Sequence, residues 1–126
     1  FYKMVKAFSF LAIAVATVSG VIAYSDNCHG ASGCNKRMGS ECFYASSRYL
    51  NYGPYNSYTS FTNNYCTAIY RCTGAYPTLT GTELRALFNH IYDSQGCKGC
   101  GSHAFNDGTC EVTYNYCEKC IDIYPH

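Results

Sequence analysis

The chain has 126 residues, 48% of them hydrophobic and 13% charged, with a formal net charge of +1 at pH 7. Two of its basic residues, Lys3 and Lys6, precede an uncharged stretch from Ala7 to Tyr24; without them seven basic residues face eight acidic ones. So even a balance excludes the basic excess by which nucleic acid or an anionic membrane surface is held.

The N-terminal segment reads as an export leader. Behind the lysines runs an apolar core from Phe8 to Val18, then Ser19-Gly20, then Val21-Ile22-Ala23, which places a small residue before a cleavage point. Residues 1–23 are therefore expected to be a signal peptide, with Met4 as the start and Phe1 to Lys3 upstream of it or non-native. The rival reading, a transmembrane anchor, needs about 18 continuous apolar residues, and Ser19-Gly20 interrupts this run. No membrane insertion of the mature chain is expected. Residues 24–126 then form one domain, small for a self-sufficient core. All ten cysteines (Cys28, Cys34, Cys42, Cys66, Cys72, Cys97, Cys100, Cys110, Cys117 and Cys120) fall in it. An even count behind a leader predicts five disulfides and an extracellular, oxidising destination. No Asn-x-Ser/Thr sequon occurs.

In chain order, the first element is a weakly patterned helix from about Ser40 to Leu50, with Cys42, Phe43, Ala45, Tyr49 and Leu50 on its apolar side. The Tyr-, Asn- and Ser-rich segment Tyr49 to Tyr65 reads as a surface loop, since Gly53-Pro54 breaks any helix there. Its sharper reading is an aromatic binding surface formed by Tyr52, Tyr55 and Tyr58. A strand is predicted over Tyr65 to Thr73. The firmest element is a helix from Gly81 to about Asp93: Leu84, Leu87, Phe88 and Ile91 share one face, Thr80 and Glu83 form a capping box, and Gly96 ends it. Asn106-Asp107-Gly108 signals a turn before a second strand, Cys110 to Cys117. The fold class is α+β: a small disulfide-rich α/β sandwich with helices on one face of an antiparallel sheet.

Two C-x-x-C pairs, Cys97/Cys100 and Cys117/Cys120, match a zinc-ribbon spacing. Behind an export leader, both read instead as structural disulfides to distant partners. His29, His90, His103 and His126 are scattered, His103 is placed in an exposed loop, and Glu83 is engaged by its cap. No catalytic residue, metal ligand or cofactor is expected.

Three pieces of the chain carry a family resemblance. Asn27 to Cys34 resembles the opening N-C-x-G-S-x-x-C of the fungal killer protein 4-like toxins. Gly81-Thr82-Glu83-Leu84-Arg85 followed by Gly96 to Ser102 resembles their G-T-E helix and G-C-x-x-C-G-S; Asn106-Asp107-Gly108 and Val112 to Tyr116 are similar to their closing turn and strand. The resemblance implies two helices packed on the sheet through split βαβ units. It also implies that Cys28 pairs with Cys97 and Cys34 with Cys100, leaving Cys42, Cys66, Cys72, Cys110, Cys117 and Cys120 to pair among themselves in one of 15 ways. The family's helix cysteine is replaced here by Leu84 or Leu87, and its basic residue before a central cysteine is represented by Arg71.

The expected function is accordingly that of a secreted, monomeric, non-enzymatic antifungal toxin or host-directed effector. It would bind a cell-surface protein, a calcium channel in the family's founding type, with Arg71, Tyr52, Tyr55 and Tyr58 as candidate contacts. The alternative is a structural or adhesive wall protein, suggested by the 14 tyrosines. A secreted hydrolase is the third class and requires a polar cleft with a perturbed carboxylate or histidine.

Overall fold

A computed structural model describes residues 23–123; the expected leader, apart from Ala23, lies outside them. After a short 3-10 turn at Lys36–Met38, the elements are α1 (Gly39–Ser47), β1 (Thr59–Asn63), β2 (Cys66–Cys72), α2 (Gly81–Asp93), β3 (Gly101–Phe105) and β4 (Cys110–Tyr116). The four strands form one sheet in the order β1-β2-β4-β3, and every neighbouring pair is antiparallel. Because β2 and β3 both run antiparallel to β4, they are parallel to each other, and β2-α2-β3 is a split βαβ unit with β4 inserted. The fold is thus a small, disulfide-rich α+β domain. No helix among the described residues is long and apolar enough to cross a membrane.

Alternation along the strands divides the sheet. Phe61, Ala68, Tyr70, Val112 and Tyr114 point to the helices and are buried, while Ser60, Thr67, Arg71, Glu111 and Thr113 take the other face. Tyr49 sets its ring edge-on to Phe61 at 4.7 Å, and Phe88 of α2 stacks on Tyr114 at 5.0 Å, so the core is built of aromatic contacts between helices and sheet. On α2, Leu84, Phe88 and Ile91 are fully buried, the Thr80–Glu83 capping box is closed, and Gly96 sits at φ 72°.

Three local expectations are corrected. The first helix ends at Ser47 rather than near Leu50, and Phe43 and Leu50 are exposed; its inner side consists of Cys42, Ala45 and Ser46. The Tyr49–Tyr65 segment is not loop throughout, since it contains β1, whose Thr59 and Phe61 face the core. His103, placed in a loop from the sequence, lies in strand β3, Gly101–Phe105.

Five disulfides staple this frame. Cys28–Cys97 and Cys34–Cys100 tie the N-terminal segment to the α2–β3 connection, Cys42–Cys66 ties α1 to β2, and Cys72–Cys110 joins directly opposed residues of β2 and β4. Cys117–Cys120 closes within its own motif, against the expectation of distant partners. The reason is topological: the chain must turn sharply after β4 to lay Asp122 and Ile123 along β1. With every cysteine oxidised, neither C-x-x-C offers a thiolate to zinc.

Both outer edges of the sheet are covered. On β1, Ser60 exchanges backbone hydrogen bonds with Ile123, the Thr62 N–H donates to Asp122 Oδ1, and Arg48 donates to the Thr62 carbonyl. On β3, Ser102 exchanges backbone bonds with Asn27, and the Ala104 N–H donates to Asp26 Oδ1.

Candidate functional site

The four residues proposed from sequence as target contacts do not share a surface. Tyr55 is structural: its hydroxyl accepts the Leu50 N–H at 2.7 Å and its ring packs edge-on against Tyr49 and Phe61. Arg71 pairs with the buried Glu111 carboxylate at 2.5 Å and lies 5.6 Å from the Tyr24 ring centroid, on the face away from the helices. Tyr58 lies near the same Tyr24, while Tyr52 is exposed.

A different site forms where α2 crosses β3. The helix brings Ala86, Leu87 and His90 to one wall of an open groove of about 440 Å³; β3 brings His103 and Phe105 to the other, and Pro77 and Leu79 from the β2–α2 connection close one end. Below it, Tyr70 stacks on Phe105 and donates its hydroxyl to the Pro77 carbonyl. Desolvation by burial pushes that phenol up to about 12.

The polar end of the groove is a histidine pair. His90, in the last turn of α2, and His103, in the middle of β3, stack their rings 3.7 Å apart at an interplanar angle of 16°. Each ring is held by a partner: His90 Nδ1 meets Gln95 Oε1 at 3.1 Å, and His103 Nδ1 meets Asp26 Oδ1 at 3.1 Å. Gln95 is itself fixed by its amide, which donates to the Asn27 and Ser102 carbonyls. Burial raises the Asp26 carboxyl pKa, but hydrogen bonds from the Ala104 N–H and from His103 outweigh it, so the net shift is downward and the group is held as carboxylate.

Histidines read as scattered are thus brought together, and His103 is half-buried on a strand, not exposed in a loop. The signal that could have placed it is the alternation Gly101, His103, Phe105, which puts all three on the helix-facing side. Ser102, beside it in sequence, has the opposite orientation and bonds Thr113 Oγ1 at 2.7 Å.

No curated protein and no solved structure is significantly similar to the chain. A family model does match, over residues 26–120, and it is not that of the killer protein 4-like toxins. The resemblance to those toxins is therefore overturned, and the antifungal and calcium-channel expectations lose the support it gave them. What carried it was an opening cysteine motif, a capped helix with its stopping glycine and C-x-x-C, and a closing turn and strand, features that stapled helix-on-sheet domains use generally. The chain belongs to the meiotically up-regulated gene family MU117.

Proposed function

We propose that the protein is an exported, non-catalytic binding domain that recognises a partner at a cell surface by taking an apolar side chain of that partner into the groove between α2 and β3. The observation that carries this reading is the groove: about 440 Å³, walled by Leu79, Leu87 and Phe105, with Glu83, His90, His103 and Asn106 as its polar lining. A concave apolar site with a few convergent polar groups is the usual form of a ligand pocket. Its walls are rigid, because the α2–β3 connection carries two disulfides. Five disulfides support an oxidising destination. Binding is favoured over hydrolysis because Ser102 is turned to the other face and every thiol is oxidised, so the His103–Asp26 pair activates neither. The family's description refers to gene expression in meiosis and names no chemistry, so the groove alone supports the assignment.

The test is a titration of the isotope-labelled oxidised protein with short peptides, each bearing one Leu, Met or Phe. Chemical-shift changes are expected at Leu79, Leu87 and Phe105 and are expected to vanish in Leu87→Arg. Shifts confined to Phe43, Tyr44 and Tyr52, or none, would reject the reading. The second reading, a wall protein, is favoured by the exposed rings of Phe43, Tyr44, Tyr52, Tyr58 and Tyr65. It requires recovery in the insoluble wall fraction, whereas the binding domain is recovered as a free monomer.

A further inference from the structure

The geometry points to a divalent metal site of zinc type formed by His90, His103 and Asp26 at the polar end of the groove. One ligand atom from each of the three lies within 4.8 Å of the other two. Two imidazoles and a carboxylate suit zinc, which takes nitrogen at about 2.0–2.1 Å and oxygen at about 2.0–2.2 Å in tetrahedral geometry. Those bond lengths set ligand atoms about 3.4 Å apart. The His103 Nδ1 to Asp26 Oδ1 separation of 3.1 Å is already close to such an edge. The ion takes the place of the hydrogen between that pair: in the neutral ring the N–H moves to Nε2 through solvent exchange, leaving the Nδ1 lone pair to the metal. His90, stacked on His103 at 3.7 Å, already offers a ring nitrogen within 4.8 Å of both other ligand atoms.

The surroundings are those of a supported site. Asp26 is fixed by the Ala104 N–H at 2.8 Å, and Gln95 positions His90 while being anchored to two backbone carbonyls. Such outer partners orient metal-binding imidazoles. The three elements that carry the ligands are covalently held together, since Cys28–Cys97 joins the segment after Asp26 to the end of α2, just ahead of β3. A zinc ion here has three protein ligands and a remaining position, the composition of an open site.

Isothermal titration of the oxidised protein with zinc(II), and its absorption spectrum with cobalt(II), test the assignment. One ion per chain is expected, with a tetrahedral cobalt spectrum. His90→Gln, His103→Gln and Asp26→Asn should each weaken binding by about 10- to 100-fold or more, whereas His29→Gln should leave it unchanged. Circular dichroism of each variant checks that the fold is retained. If a variant does not fold, the ring resonances of His90 and His103 in the unaltered protein decide: both must move on adding zinc. Absence of zinc binding, or binding that leaves those resonances in place and survives all three substitutions, overturns the proposal.

Discussion

Three buried tyrosines, Tyr49, Tyr70 and Tyr114, and the partly buried Tyr92 hydrogen-bond through their hydroxyls inside the core. Tyr49 shares its hydroxyl between the Thr59 and Ala68 carbonyls, Tyr114 meets Ser46 Oγ at 2.7 Å, Tyr92 donates to Gly99, and Tyr70 to Pro77. Desolvation raises all four phenols, Tyr70 and Tyr114 to about 12. In the unfolded chain they titrate near 10. The unfolded state therefore loses protons first, and the stability these groups contribute is complete below about pH 10 and is lost as pH rises toward 12. Urea unfolding at stepped alkaline pH should show this decline, with phenolate absorbance appearing together with unfolding. Tyr114→Phe should flatten the decline and remove about 1 kcal/mol at neutral pH through the lost bond to Ser46. At this scale the sequence was least informative. A count of 14 tyrosines suggested a surface, yet burial depends on what each ring meets across the fold. The same holds for the histidine pair, whose members come from a helix and a strand and whose carboxylate partner lies 77 residues from His103.

Among the elements, α2 was legible because a four-residue apolar stripe and a capping box agree on its position. β2 and β4 were legible within a residue of their ends because they are long and rich in aromatic and β-branched residues. β1 and β3 were not: each has five residues, and Ser, Thr, Asn and Gly conceal their alternation. Gly81 determines how closely α2 approaches the turn that follows the first helix. A Cβ there would stand 1.9 Å from the Leu50 carbonyl oxygen and 2.4 Å from its carbon. Helix propensity favours alanine over glycine by about 1 kcal/mol. The clash is with backbone that cannot rotate away, so it prevails, and Gly81→Ala should destabilise by about 2 kcal/mol. Gly96→Ala meets no atom within 4 Å but forces φ 72° on an L-residue, for about 1 kcal/mol. Urea midpoints of the two variants should rank Gly81→Ala as the weaker.

Over the whole molecule, the disulfides are unequal. Cys28–Cys97 and Cys34–Cys100 span separations of 69 and 66 residues and run side by side. Removing either leaves the other to close almost the same loop, so the loss is that of a ring of about ten residues, about 3 kcal/mol in the chain-entropy model. Removing both releases the large loop as well, for about 7 kcal/mol in total. That exceeds the net stability of a marginal domain, about 5 kcal/mol. Serine pairs at either bridge should therefore fold and the quadruple variant should not, as read by circular dichroism. Full reduction should unfold the protein, and a zinc chelator should not, because five disulfides hold the frame whether or not the His90–His103–Asp26 site carries an ion. Composition made five bridges legible, since an even count of ten cysteines in a domain this small calls for staples. It could not show that Cys117 and Cys120 join each other, which follows from the path of the tail.

That path has a further effect on how the protein can meet others. Each border strand finds its outward amide beside the bridge occupied by an aspartate from a passing chain segment, Asp122 at one side and Asp26 at the other. Foreign strands extend a sheet through such amides, in peptide capture and in fibre growth alike. Here those amides are taken at both ends, so strand addition is blocked and the recognition proposed above falls to side chains and the groove.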